Sequence, residues 1–265
     1  MRISVITPSF NQGRFLEATL QSVLAQRYPD FEHIVIDGGS RDESVSVLEK
    51  HNDALAYWVS EKDRGQSDAF NKGLRKATGD IIGWLNSDDI YIGECLKQVA
   101  DYFVAHPEVD VVFSDYWFID EHGNFLRKRK EIPFRIGVYL WTGDCYHANC
   151  AGFFRRRVFE KIGGLDEGLH FGMDYDFYMR AAEAGFRFGH VHECWGGYRL
   201  HDQSKSISAH HLQIQDALLV SERHRPPNVT GFGSRWRYYA YKSFRIAWKA
   251  LIGSYFQSKS NGQVT

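Results

Sequence analysis

Ile81, Ile82, Trp84 and Leu85 form a short apolar run after Gly79, and the run ends abruptly in Asn86-Ser87-Asp88-Asp89. An apolar stretch of this length, bounded by polar residues, reads as a strand buried on both faces. Strands of that kind belong to parallel sheets covered by helices on each side. Carboxylates at the C-terminal end of such a strand stand where open α/β sheets bind ligands. Adjacent oxygen donors there suit a hard divalent cation that in turn holds phosphate. The plainer alternative is a polar strand exit that caps the next helix, with Asp88 or Asp89 as N-cap.

The chain around this run alternates strands with helices. Ile3–Thr7 reads as a first strand, broken by Pro8-Ser9-Phe10-Asn11-Gln12-Gly13 before a helix over residues 14–26. Residues 32–37 form a second strand ending in Asp37-Gly38-Gly39. Ser40 and Glu43 then have the spacing of a capping box for the next helix. Leu55–Val59 is a third strand. Ser67 is placed to cap a helix that runs to Thr78, with Gly79 as its C′ residue, and Asp89 to cap a helix over residues 92–105. A strand over Asp110–Ser114 completes this half. The pattern predicts a parallel arrangement with right-handed crossovers over the first ~115 residues. The second half is less regular. A hairpin over residues 116–128 turns at His122-Gly123-Asn124, helices cover 155–162 and 174–184, and a strand covers 186–192. Residues 196–208 read as a loop, and residues 226–233 as a linker.

With 43% hydrophobic and 25% charged residues, the chain has the composition of a core-forming globular protein. Its net charge of −1 names no partner, but the distribution does. Eight basic and no acidic residues follow Glu222, leaving the rest of the chain acidic. The four cysteines contain no C-x-x-C pair and so suggest neither a zinc ribbon nor a disulfide framework. With Arg2-Ile3-Ser4-Val5-Ile6 entering a strand directly and no long apolar run, the expected location is the cytoplasm.

Three strand ends carry related polar chemistry: Thr7-Pro8-Ser9-Phe10-Asn11, Asp37-Gly38-Gly39-Ser40 and Asn86-Ser87-Asp88-Asp89. In a parallel sheet they lie along one edge. Asp37 is suited to accept hydrogen bonds from a base or a ribose, with glycines beside it that let a ligand approach the backbone; taken alone it could equally be a turn residue. No G-x-G-x-x-G follows the first strand and no P-loop lysine motif is present, which argues against dehydrogenases and P-loop ATPases.

Ser4–Asn11, Val35–Ser40, Glu61–Gly65 with Asp68–Gly73, and Leu85–Asp89, in that order and spacing, resemble the family 2 glycosyltransferases of the GT-A fold. The resemblance covers roughly residues 3–207. It implies an α/β fold with a Rossmann-type mixed sheet flanked by helices, in a domain over residues 1–222. Residues 1–115 would bind the nucleotide, residues 116–222 the acceptor, and residues 223–265 would form a basic helical tail. It further implies an inverting transfer from a nucleotide-sugar donor, usually a UDP-sugar, to a hydroxyl of a glycan or lipid-linked saccharide. On this resemblance Thr7, Pro8 and Asn11 line the nucleotide pocket, Asp37 binds the base, and Asp63 and Lys72 sit near the ribose and diphosphate. Asn86-Ser87-Asp88 matches the D-x-D motif, with Asp88 holding Mn²⁺ or Mg²⁺; Asn86 departs from the usual aspartate. Asp174, preceded by Met173 where the family carries glutamate, matches the general base. Its alternative is the N-cap of the helix that follows. Arg199, His201 and Lys205 match a segment expected near the diphosphate, with His201 as a further metal ligand.

Two other classes have specific handles. A non-catalytic nucleotide-sugar-binding subunit of a synthase complex would account for Asn86 and Met173. A nucleotidyltransferase would carry a Gly-rich basic loop after the first strand, which this chain lacks. Residues 235–256 interleave basic and aromatic residues at near-helical spacing. They read either as a helix packed on the domain or as an interfacial helix on anionic lipid at the inner face of the membrane. No nucleic-acid recognition motif is present.

Overall fold

The computed structural model describes residues 1–204, 210–227 and 232–254. Four parallel strands form one side of the sheet: β1 (Ile3–Ser9), β2 (Phe31–Asp37), β3 (Tyr57–Ser60) and β4 (Ile81–Trp84). β5 (Ile90–Tyr91), β6 (Val111–Ile119), β7 (Phe125–Arg129), β8 (Gly152–Arg155) and β9 (Phe188–Arg199) complete it. The order is β3-β2-β1-β4-β8-β6-β9-β5, with β7 paired to β6. β8 lies antiparallel between β4 and β6, so the expected parallel run stops at β4 and the sheet is mixed. β6 and β9 run parallel, and β5 pairs antiparallel with β9.

The two-residue period of β1 divides its side chains between two cores. Ile3 and Val5 join Ile81, Leu85 and helix α4 (Cys95–Ala105) on one side. Ile6 joins Ile34, Ile36, Trp84 and Phe70 of α3 (Gln66–Lys76) on the other, together with α7 (Met173–Glu183). α1 (Gly13–Leu24) and α2 (Ser44–Lys50) cover Val35 through Leu16, Leu20 and Leu48. α3 seats tightly on β1 because position 73 has no side chain: a Cβ there would lie 2.5 Å from Ile6 Cγ2.

Several local expectations give way to longer-range bonds. Ser40 does not cap α2; its hydroxyl donates to Asp37, and the N–H of Ser44 is taken by Asp42 Oδ1 at 3.0 Å. Ser67 lies inside α3, whose N-cap is Gly65 at φ 113°, and α3 ends at Lys76 with Ala77 extended, short of Gly79. The Gly79 N–H is drawn instead to Ser4 Oγ of β1, at 2.8 Å. The strand expected over residues 186–192 continues to Arg199, through the stretch read as a loop. Gly196 and Gly197 pair with β5 there, and a Cβ at 196 would lie 2.3 Å from the Cys150 carbonyl oxygen.

Residues 130–150, which show no clear pattern in sequence, contain α5 (Ile136–Thr142). α6 is Arg156–Ile162, α8 His210–His224 and α9 Phe232–Leu251. α9 packs on α5, with Tyr241 lying where a Cβ at Gly137 would be. The fully buried Glu131 carboxylate anchors it, meeting Lys249 Nζ at 2.9 Å and Arg245 Nη2 at 3.3 Å.

Candidate active site

Ser9 pairs with Asp37, and Asp37 with Ser60, so the first three strands end level with one another. A cavity of about 880 Å³ opens over these ends and that of β4. From β1 it is lined by Pro8 through Gln12, from β2 by Gly38, Gly39 and Arg41, and from the approach to α3 by Lys62, Asp63, Gly65 and Gln66. Asn86–Asp89 close one wall, and Tyr198, Gln203 and Ser204 approach from the end of β9.

Of the residues singled out in sequence, Pro8, Asn11, Asp63, Asn86, Ser87 and Asp88 reach this wall. Asn11 adopts φ 50°, a conformation asparagine tolerates better than most residues. Its N–H donates to Ser40 Oγ and its Oδ1 accepts the Arg41 N–H, which ties the β1 and β2 loops together. Asn86 Oδ1 accepts from Gln66 Nε2 at 2.7 Å and Trp84 Nε1 at 3.0 Å. A neutral amide oxygen suits these two neutral donors without leaving a charge to compensate.

Other expected contacts lie beneath or beyond the wall. Asp37 is fully buried and its carboxylate serves its own loop, accepting from the N–H of Ser40 at 2.8 Å and from Ser60 Oγ at 2.7 Å. Thr7 is fully buried, 2.9 Å from Nε2 of His33, an imidazole that burial pushes down to about 3. Lys72 is held on Glu61 at 2.7 Å and does not line the cavity. Arg199 is turned inward, donating from Nε to the Asp88 carbonyl at 2.7 Å and from Nη1 to the carbonyls of Asp120 and Glu121. Lys205 lies outside the described residues.

The two aspartates of the β4 exit have separate surroundings. Asp89 caps no helix: β5 follows it, and its Oδ1 accepts the Arg199 N–H at 2.9 Å. Burial, reinforced by the charge of Asp88, pushes the Asp89 carboxyl well up. Asp88 Oδ2 lies 3.0 Å from His201 Nε2 and accepts from Gln12 Nε2 at 3.3 Å. His201 is sequestered behind it against the Phe15 ring, at 4.5 Å between centroids. Asp88 and His201 are the residues at this strand exit that could hold a divalent cation.

Asp63 fills the space left by Gly38, where a Cβ would sit 2.5 Å from Asp63 Oδ2. Its Oδ1 accepts the Gly65 N–H, and burial raises its pKa above the usual carboxylate range. Phe10 lines the cavity with 59% of its surface exposed. Gln12, Gln66 and Tyr198 have no signal of their own in the sequence beyond adjacency to the motifs, and Phe10 stands inside one without a role assigned to it.

Asp174 is half-buried in the first turn of α7 and is not part of the cavity wall. Its charge reaches the Cys145 thiol, which burial already pushes well up, and Tyr178, whose hydroxyl donates to Asn149 Oδ1 at 2.7 Å. Asp176, two residues on and so on the opposite side of the helix, is bound to structure. Burial would raise it, but hydrogen bonds from His224 and Arg180 bring it to about 2.

The sequence model of the family described as Glycosyl transferase family 2 matches residues 4–163. An uncharacterized glycosyltransferase of Mycobacterium tuberculosis is 38% identical over 184 residues, covering 68% of this chain and 68% of its own length. Escherichia coli chondroitin synthase is 26% identical over 221 residues, which span 82% of this chain but 32% of the synthase. Among solved structures, S. aureus TarS 1-349 in complex with UDP-GlcNAc superimposes with a TM-score of 0.68 at 18% identity, over 98% of this chain and 76% of that one. Mannosyltransferase PcManGT from Pyrobaculum calidifontis, in complex with GDP-Man and Mn²⁺, gives 0.63 at 19% identity, over 99% of this chain and 76% of that one. At such identities these two structures speak for the fold, which is GT-A.

Proposed function

The chain belongs to glycosyl transferase family 2, and on that premise we propose that it transfers a sugar, with inversion, from a UDP-sugar to a hydroxyl of a glycan or lipid-linked saccharide. The observation that carries this reading is the cavity over the ends of β1 to β4, whose lining includes Phe10, Asp63 and Asp88. The aromatic face of Phe10 suits stacking on a base, and the Asp63 carboxylate suits a base N–H. Asp63 takes the part first expected of Asp37, whose oxygens are committed to its loop.

Asp88 and His201 would hold Mn²⁺ or Mg²⁺, and such a cation, when bound, neutralises charge developing on a leaving diphosphate. Arg199 acts indirectly, by fixing the backbone of Asp88 and the carboxylate of Asp89. Asp174 is the general base: it accepts the proton of the acceptor hydroxyl as that oxygen attacks the anomeric carbon. Burial pushes the neighbouring Cys145 thiol and Tyr178 hydroxyl well up, which supports Asp174 as the proton acceptor of that group.

A lipid-linked acceptor fits the free face of α9. Tyr241, Arg245 and Lys249 face the domain, whereas Trp236, Tyr239, Phe244, Ile246 and Leu251 are exposed, flanked by Arg235 and Lys242. An apolar face edged with cations suits the surface of an anionic membrane, with the protein on its cytoplasmic side. Self-association through this face would bring like charges together. No described helix is long and apolar enough to cross a membrane.

The test is a thermal-shift screen of nucleoside diphosphates and nucleotide sugars with and without Mn²⁺. Stabilisation by UDP-sugars that grows with Mn²⁺ is expected, and Asp88→Ala should remove the metal increment. A preference for guanosine or cytidine diphosphates would overturn the uridine assignment. A metal increment kept in Asp88→Ala would overturn the ligand assignment.

A further inference from the structure

Away from the cleft, β6 and β9 pair with a bulge. Ser114 faces Val191 and Asp115 faces Cys194, so His192 and Glu193 are extra on the β9 side. The bulge brings His192 back over Asp115 beside His190. His190 Nε2 is 3.1 Å from Asp115 Oδ1, and His192 Nδ1 is 3.4 Å from Oδ2. One donor atom from each of the three residues lies within 4.8 Å of the others, and theirs is the one such group among the described residues. None of the three lines the donor cavity.

Asp115 is fully buried, and a buried carboxylate costs several kcal/mol unless its charge is met. What meets it directly is weak. Glu131 donates an N–H to Oδ1 at 3.1 Å, and the Lys128 ammonium stands off at 3.7 Å from Oδ2. The two imidazoles stand within hydrogen-bond distance of its oxygens. The His190 side chain is 2% exposed, and its Nδ1 has no hydrogen-bond partner among the described residues, so Nε2 beside Asp115 is its working nitrogen. The His192 side chain is 61% exposed and opens the group to solvent. Donor atoms about 2.0–2.1 Å from a tetrahedral zinc ion stand roughly 3.4 Å apart, close to the 3.1 and 3.4 Å between the imidazole nitrogens and the two carboxylate oxygens.

We propose that Asp115, His190 and His192 bind one divalent transition-metal ion, structural in role and separate from the catalytic cation, which ties the β9 bulge to β6. Two imidazoles and a carboxylate favour Zn²⁺ over the oxygen-preferring Mg²⁺. The fourth position is open to water on the His192 side.

The experiment is equilibrium dialysis of the metal-stripped full chain against Zn²⁺, with Co²⁺ absorption in the visible range as a reporter of ligand geometry. Wild type and Asp88→Ala should each retain one Zn²⁺ and give the same Co²⁺ spectrum. His192→Gln changes an exposed side chain, so its metal-free melting curve should match wild type. It should lose Zn²⁺ affinity by about a hundredfold or more, since even outer-shell partners are worth about 10–100-fold, and its Mn²⁺-dependent transfer should be unchanged. Absence of Zn²⁺ binding in wild type, equal binding in His192→Gln, or loss of all binding in Asp88→Ala would each overturn the site.

Discussion

In residues 1–115 the polar loops fasten mainly to one another: Asn11 to Ser40 and Arg41, Asp37 to Ser60, Gln66 to Asn86. In residues 116–254 the corresponding ties reach across the chain. Glu131 is held by Arg245 and Lys249, Asp176 by Arg223 and His224, and Tyr175 donates to the Tyr139 carbonyl. The first region is a set of strand ends that parallel pairing brings level, so its cavity follows from the sheet. The second is assembled by ion pairs and stacked aromatic rings around α7, such as Phe159 on Phe177 at 4.7 Å. Donor binding should therefore tolerate damage around α7 and α9, while transfer should not.

The largest effect expected from this contrast is that of Asp174→Asn, which should lower transfer by roughly 10²–10⁴-fold, the usual worth of a positioned base, and leave UDP-sugar affinity unchanged. Steady-state transfer beside a binding isotherm checks this, and normal turnover would place the base elsewhere. Glu131→Ala comes next. It strands Arg245 and Lys249 against a buried site and should cost about 3–5 kcal/mol in urea unfolding, with acceptor use lost before donor binding. If both fail together, the two regions are one cooperative unit.

Phe10→Ala should weaken donor binding by about 1–3 kcal/mol, the scale of base stacking on an aromatic ring, read as a Kd change with no change in unfolding midpoint. The smallest effect concerns the seat of α8. The hydrogen bond with Asp176 raises the pKa of His224. That stabilisation is complete below the unfolded value of about 6.5 and is lost as pH rises through the raised folded value. The depressed Asp176 behaves oppositely, its contribution being present above about pH 4 and lost as pH falls towards its folded value of about 2. His224→Gln should flatten the alkaline limb of stability against pH and leave the Mn²⁺ dependence of transfer untouched.

The motifs at the strand ends were legible because each lies within a few residues of the strand that positions it. Pro8, Asn11, Asp63 and Asn86–Asp88 reach the cavity that their positions imply. The parts played by Asp37, Thr7, Lys72 and Asp89 were not legible. A carboxylate or hydroxyl at a strand end can face a ligand or its own loop, and the choice depends on donors such as Ser60, His33 and Arg199 that sequence proximity does not supply. The caps first read at Ser40 and Ser67 missed for the same reason.

From the sequence alone came the alternation of strands and helices, the buried β4 run with its polar exit, and the basic, aromatic character of residues 235–254, because periodicity and composition are local properties. The tertiary structure decided what those elements meet. It inserted β8 beside β4, brought His201 to Asp88 across 113 positions, seated α9 on Glu131, and gathered Asp115 with His190 and His192. Each of these is a contact between groups far apart in the chain, made only when burial forces a charge or a polar atom to find its partner.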